Sequence, residues 1–137
     1  MGLDTASFAR EVRRWGETVH VRAVEELAAD LDRVVPEDTG RLRFSQQVIH
    51  RGPGRSTIVY DARPEDGGES YASFTDEGTE PHEIRGNPLL AFVWDGQLVI
   101  VHSVQHPGTT GTQWWSDRVD DRGWDEALNS AAVWVTL

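Results

Sequence analysis

Leu89-Leu90-Ala91-Phe92-Val93-Trp94-Asp95-Gly96-Gln97-Leu98-Val99-Ile100-Val101-His102-Ser103-Val104 reads as a single β-hairpin. Asp95-Gly96 is a favoured two-residue hairpin turn, because both central residues of a type I′ turn take positive φ. The flanking runs, Leu89–Trp94 and Leu98–Val104, are apolar almost throughout and lack the polar alternation of a strand with one wet face. The expectation is a hairpin that is central, or covered on both faces.

Upstream of it, Tyr71–Gly78 has the spacing of a short helix with Tyr71 and Phe74 on one side and Gly78 as its stop. Residues 63–70 are polar, contain Gly67-Gly68 and read as a loop. Ser56–Ala62 is β-rich. Leu42, Phe44 and Val48 share one parity while Arg41, Arg43, Ser45 and Gln47 take the other, which predicts a half-buried strand. Gly52-Pro53-Gly54 separates these two runs, so they form a hairpin with a longish loop. Further upstream, Phe8, Val12, Trp15, Val19, Ala23, Leu27, Leu31 and Val34 recur at steps of three and four, the mark of one long amphipathic helix. Asp4 caps its start, and Pro36 stops it after Val35. Some thirty residues at 1.5 Å rise make a rod of roughly 45 Å. Such a rod is either a simple core helix or one that packs a face on a sheet while its overhanging part meets a neighbouring subunit.

Downstream, His106-Pro107-Gly108 ends the central hairpin and residues 109–111 continue as loop. Trp115, Val119, Trp124, Leu128 and Ala131 follow a broken helical pattern, weakened by Gly123. Residues 132–137 fit a helix end or a last strand equally well.

The chain has 137 residues, enough for one domain over 1–137. That domain divides into a long helix (1–35), a β-rich core (41–104, with the short helix near 71–78) and a C-terminal segment (112–137). There is no cysteine, which removes disulfide and thiolate chemistry. The first nine residues have neither the basic region nor the apolar run of a signal peptide, and nothing reaches membrane-span length, so the expected setting is a cytosol or a particle assembled there.

Thirteen basic residues face twenty-three acidic ones, for a net charge of −10. This balance argues against a protein that wraps DNA, since nucleic-acid affinity comes mainly from neutralised phosphates. It suits a surface that DNA slides past without adhering. The charge is also uneven. Residues 61–83 carry eight carboxylates against Arg63 alone, whereas residues 35–60 carry Arg41, Arg43, Arg51 and Arg55 against Glu37 and Asp38. In a head-to-tail ring the basic patch of one subunit would face the acidic patch of the next, which makes Arg41 and Arg43 candidate interface residues.

Catalytic signals are weak. No Gly-x-Ser-x-Gly elbow is present, and Gly52-Pro53-Gly54 fits no phosphate-binding pattern. His82, His102 and His106 are the residues on which a zinc site would rest, but no helical His-Glu-x-x-His accompanies them. The expectation is no catalytic residue, no cofactor and no metal.

Four segments in order resemble the neck or tail-completion proteins of long-tailed phages. The long N-terminal helix runs into Pro36-Glu37-Asp38-Thr39-Gly40-Arg41-Leu42-Arg43-Phe44-Ser45, similar to the family's Pro-x-Asp-Thr-Gly-x-Leu-x-x-Ser. Tyr71-Ala72-Ser73-Phe74-Thr75-Asp76-Glu77-Gly78-Thr79-Glu80-Pro81-His82 is similar to its Tyr-Ala-x-aromatic…Glu-x-Gly-Thr…Pro-His block. The apolar hairpin follows, and then His106-Pro107-Gly108-Thr109 with Trp115 soon after. The likeness covers most of residues 4–115. It departs at the C-terminus, where family members often close on a continuous charged helix.

The resemblance implies an α+β fold, with a long N-terminal helix packed on a small curved antiparallel sheet and a C-terminal helical segment. It implies a non-enzymatic virion protein of the head–tail connector. That protein forms a homo-oligomeric ring, hexamer or dodecamer, between head-closure (adaptor) and tail-terminator proteins. DNA passes through it without sequence-specific binding, no membrane is involved, and assembly takes place in the host cytoplasm. The recurring residues then look structural: Asp38, Thr39, Gly40, Leu42, Ser45, Tyr71, Glu77, Gly78, Thr79, Pro81, His82, His106, Pro107 and Gly108. Gly40 and Gly78 suit positive φ, and His82 and His106 suit hydrogen bonds that tie loops together. A tail terminator capping the tail tube is the nearest alternative. A small metal-dependent hydrolase using His82, His102 and His106 is the alternative of another class.

Overall fold

A computed structural model describes residues 4–37, 40–64 and 67–135. The chain is mixed α+β, with a long N-terminal helix, small antiparallel sheets and a C-terminal helix. It divides into two compact units, Met1–Ala72 with Gln113–Leu137, and Ser73–Thr112. The strands pair as three separate two-stranded sheets rather than one.

The first unit is built on helix α1 (Thr5–Val34). Asp4 caps it, its carboxylate accepting from the Ala6 amide at 3.1 Å, and the Val35 amide closes onto the Leu31 carbonyl just before Pro36. The boundaries therefore follow the sequence signals. Of the apolar face, Val19, Ala23, Leu27 and Leu31 are buried, whereas Phe8 and Val12 at the helix start stay exposed.

Residues 41–48 do not form the expected strand. Arg41–Phe44 is a short helix, α2, entered through Gly40 at φ 76°, and the strand begins only at Gln46. Parity alone misled here, because Leu42 is buried as part of a helical turn and Phe44 points to solvent, 85% exposed. Strand β1 (Gln46–Gly52) pairs antiparallel with β2 (Arg55–Tyr60). Gly52 pairs with Arg55, so the connection is the two-residue Pro53-Gly54 with a register shift beside it, not a longish loop.

The core of this unit gathers Val19, Ala23, Leu27, Leu31, Val35, Leu42, Tyr60, Ala62, Trp114, Ala127 and Ala131. Helix α4 (Asp121–Trp134) packs on α1 through the small residues Ala127 and Ala131. Its far end is tied down by Trp15, whose indole Nε1 donates to the Val135 carbonyl at 2.8 Å. Gly123 does not weaken this helix as expected. It lies in the first turn, its amide donates to the Asp120 cap at 2.7 Å, and a Cβ there would sit 1.9 Å from the Arg118 carbonyl. The tail resolves as helix as far as Trp134; residues 136–137 lie outside the described residues.

The second unit holds α3 (Ala72–Glu77, which begins on the last residue of the first unit), the two-residue strand β3 (Gly78–Thr79), the long strands β4 (His82–Trp94) and β5 (Gln97–His106), and β6 (Thr109–Thr110). The Asp95-Gly96 turn forms as the sequence predicts, with φ of 49° and 74°. The expected cover is not supplied by the described residues: Val93, Trp94, Leu98 and Ile100 are all more than half exposed, and the hairpin pairs with no third strand.

One phenol joins the elements of the first unit. Tyr60 donates to Asp32 Oδ1 at 2.6 Å and accepts from Gln46 Nε2 at 2.5 Å, while its ring stands edge-on to Trp114. Burial, then the hydrogen bond to and the negative charge of Asp32, push the phenol well above the ordinary tyrosine range. A group whose pKa is raised on folding stabilises below its unfolded value and loses that contribution as pH rises. Tyr60→Phe should therefore cost about 1.5 kcal/mol at neutral pH in urea unfolding, the scale of a hydrogen bond whose buried partners are stranded. The wild type should lose stability relative to this variant as pH climbs past about 10. The chain has no lysine, so few other groups change charge there. In a folded Tyr71→Phe chain, absorbance at alkaline pH should show no phenolate at about pH 10, the ordinary tyrosine midpoint; half-ionisation there would refute the buried network.

Candidate functional site

The two blocks Glu77–His82 and His106–Thr109, twenty-odd residues apart in sequence, meet at the base of the β4–β5 hairpin. Gly78 pairs with Thr110 and Thr79 with Thr109 across β3 and β6. The Thr79 hydroxyl lies 3.1 Å from that of Thr109 and also accepts from the Thr109 amide at 3.0 Å. This crossing is too tight for side chains. A Cβ on Gly78 would lie 2.3 Å from the Thr109 carbonyl oxygen, and one on Gly108 2.2 Å from that of Thr79; both glycines also have positive φ. Pro81 and Pro107, both exposed, sit just outside the crossing on its two chains.

His82 and His106 are cross-strand partners with ring centroids 5.0 Å apart. Their hydrogen bonds do not run between the two loops; each closes its own turn. His82 Nδ1 lies 2.8 Å from the Glu80 carbonyl, so that nitrogen carries the proton. His106 Nδ1 accepts from the Gly108 amide at 3.0 Å, so its proton is on Nε2. His102 lies earlier on β5, exposed and four residues from His106. Among the described residues no group of three histidine or carboxylate side chains is placed to hold a metal. A shallow cavity of about 540 Å³ opens beside the crossing, lined by Phe74, Glu77, Thr79, Glu80 and His82.

The residues of the other motif are placed in the first unit. Leu42 is in the core, and the Ser45 hydroxyl donates to the Leu42 carbonyl at 2.6 Å, closing α2. Tyr71 packs against that core, and its amide donates to Ala62. Asp38 and Thr39 lie outside the described residues. Arg41 is exposed on α2. Arg43 is engaged within its own chain: its guanidinium donates to the Asp32 carbonyl at 3.1 Å and pairs with Glu37 at 2.9 Å. A charge reversal at Arg43 thus tests folding before it tests any interface.

A polar cluster that the sequence did not single out lies between α1 and the β1–β2 hairpin. The Ser56 hydroxyl is 3.0 Å from His20 Nε2 and 2.8 Å from His50 Nδ1, and His50 Nε2 is 3.8 Å from Glu25. Serine, histidine and acid are together, yet Ser56 is a mid-strand residue opposite His50 and not on a strained elbow. The Glu25 contact is also longer than a hydrogen bond. The arrangement fastens hairpin to helix. Its sequence signal was the placement of His50 and Ser56 either side of Gly52-Pro53-Gly54, hidden by the expectation of a longer loop. Beside it runs a groove of about 580 Å³, floored by Ile58, Trp115, Val119 and Trp124 and rimmed by Arg51 and Arg55.

Gly78→Ala and Gly108→Ala should each cost more than about 2 kcal/mol, because backbone must move to admit the methyl group. Gly16, in the open interior of α1 with nothing within 4 Å of a built Cβ, provides the contrast. Gly16→Ala should raise stability by roughly 0.5–1 kcal/mol. Denaturation midpoints followed by circular dichroism separate the two classes, and equal effects at all three positions would contradict the close crossing.

Comparison with protein-family models, with curated proteins and with solved structures gave no match to this chain.

Proposed function

We propose that this chain is a structural subunit of the phage head–tail connector, a neck or tail-completion protein that assembles as a ring through which DNA passes. The observation that carries the reading is the ordered motif series from Asp38 to Thr109. A set of short motifs in fixed order is far more specific than any one of them. Two physical features of the chain accord with it. The β4–β5 hairpin holds Val93, Trp94, Leu98 and Ile100 in solvent, a surface that a lone two-stranded ribbon does not keep stable in water. Burying each such side chain stabilises by about 1.5–3 kcal/mol, so a neighbour that covers the ribbon is strongly favoured. The net charge of −10 keeps phosphates from adhering to a channel wall.

The glycine crossing has a clear role in such a part. It fixes the base of the hairpin by close backbone approach and the Thr79–Thr109 bonds, leaving the ribbon to present its apolar residues to a neighbour. The proposal assigns no catalytic residue and no cofactor.

The test is genetic and structural. In the phage that encodes the chain, a nonsense mutation in its gene should leave filled heads and finished tails that fail to join. Cryo-EM of wild-type particles should show the chain as a ring at the neck. Joined, infectious particles made without the protein would sink the reading. The gene's position beside those for portal and tail tube is the cheapest first check.

A further inference from the structure

The first unit presents a groove and the second a tip, and their chemistries match. The groove holds about 580 Å³. Its floor is apolar and aromatic, with Ile58, Trp115, Val119 and Trp124; its rim carries Arg51 and Arg55, and no carboxylate lines it. Neither arginine forms an ion pair among the described residues. Arg51 only donates to Thr57 at 3.0 Å. Residues 46–60, which form this wall, contain no acidic residue in a chain of net charge −10.

The tip is the turn of the β4–β5 hairpin. Trp94 is 72% exposed, Val93 70% and Leu98 67%, and between the strands stands Asp95. Asp95 is the only carboxylate or arginine in residues 86–106. The tip is thus an apolar wedge bearing one negative charge, and the groove an apolar cleft bearing two positive ones.

We infer that the hairpin tip of one copy docks in this groove of a second copy, with Trp94 against the Trp115–Trp124 floor and the Asp95 carboxylate between Arg51 and Arg55. The occupant is a second copy because the complementary halves are both on this chain, and because copies carrying a net charge of −10 repel except where a local positive surface meets an acid. The contact is heterologous: each copy offers its tip to one neighbour and its groove to another. Repetition therefore builds a ring or a filament, never an isolated dimer. Indoles edge-on or offset to one another give such a contact geometric preference. The Asp–Arg pairs, cut off from water, set its register. This inference names the subunit contact of the ring proposed above, and rests on that reading.

A charge swap tests it on the intact chain. Sedimentation of the wild type should show concentration-dependent association beyond the dimer. Asp95→Arg and the double variant R51E/R55E should each weaken it by about tenfold or more, the scale of close charge pairs at interfaces. An equimolar mixture of the two variants should restore it, because the intact tips of one meet the intact grooves of the other and the charge-reversed tip meets the charge-reversed groove, so the chain of contacts continues. Trp94→Ala should weaken association, and mixing it with Asp95→Arg should rescue nothing, because neither chain then carries an intact tip. All these positions are exposed, and unchanged circular dichroism confirms that each variant is folded. A chain monomeric at the highest attainable concentration overturns the inference, as do charge-reversed variants that associate like the wild type, or a mixture that restores nothing. The two proposals fail separately. Association that ignores the swap removes this docking mode and leaves the neck assignment to the virion experiment. Particles that join without the protein remove the neck assignment, whatever the swap shows.

Discussion

The hydroxyl of Tyr60 joins three segments of the first unit, α1, β1 and β2. It donates to Asp32 near the end of α1 and accepts from Gln46 at the start of β1, and Gln46 spends its other N–H on the Ala28 carbonyl. Each polar atom of this set has a partner, which is the condition under which a buried network specifies an arrangement rather than costing stability. The geometric consequence is register. A strand slipped by one residue turns every side chain to the opposite face. With Tyr60 and Gln46 paired across β1–β2 and both bound to α1, such a slip would strand Asp32 and Gln46 at once. The tryptophans follow from the same point, since Trp114 and Trp115 stand edge-on to the Tyr60 ring and lead the chain into α4.

Much of this fold was legible where one local rule acted alone. The long helix begins at the Asp4 cap and ends before Pro36, and the Asp95-Gly96 turn forms because its residues tolerate positive φ. The failures came where a local pattern was too short to decide. Leu42 and Phe44 obey strand parity, but a run of four residues satisfies helix and strand alike. The structure chose the helix because Leu42 then fills the core, Ser45 closes the turn, and Arg43 reaches the Asp32 carbonyl at the end of α1. None of these contacts is visible in sequence spacing. Gly123 misled for a related reason. Its propensity argued against a helix interior, while its real position is the first turn, where the Arg118 carbonyl leaves no room for a side chain. Likewise the apolarity of residues 89–104 announced a need for cover but could not show that the described residues leave that need unmet.

Of the candidate site, the motif glycines and threonines were found by pattern, but their meeting was not. Glu77–Thr79 and His106–Thr109 are joined by a hairpin of more than twenty residues, and only the pairing of Thr79 with Thr109 makes one feature of them. The histidines illustrate the difference between proximity and chemistry. His82 and His106 face each other, yet one Nδ1 is committed as donor and the other as acceptor within its own turn. Both serve geometry. The cluster of His20, His50 and Ser56 was missed because it depends on a two-residue turn at Pro53-Gly54, which sets Ser56 opposite His50.

Charge poses the sharpest constraint on any assembly of this chain. Each copy adds ten negative charges, and a ring concentrates them around one axis. At physiological ionic strength, charges more than about 8 Å apart on exposed surfaces are largely screened. The general repulsion between copies is therefore modest and spread out, whereas a carboxylate placed between two guanidinium groups in a water-poor cleft is screened far less. In the proposed contact, the apolar side chains around Asp95 supply the attraction, and the arginines decide where it is expressed. In that contact an acidic chain with a basic cleft selects its own tip. A wall of that kind is also one along which a polyanion moves without being held.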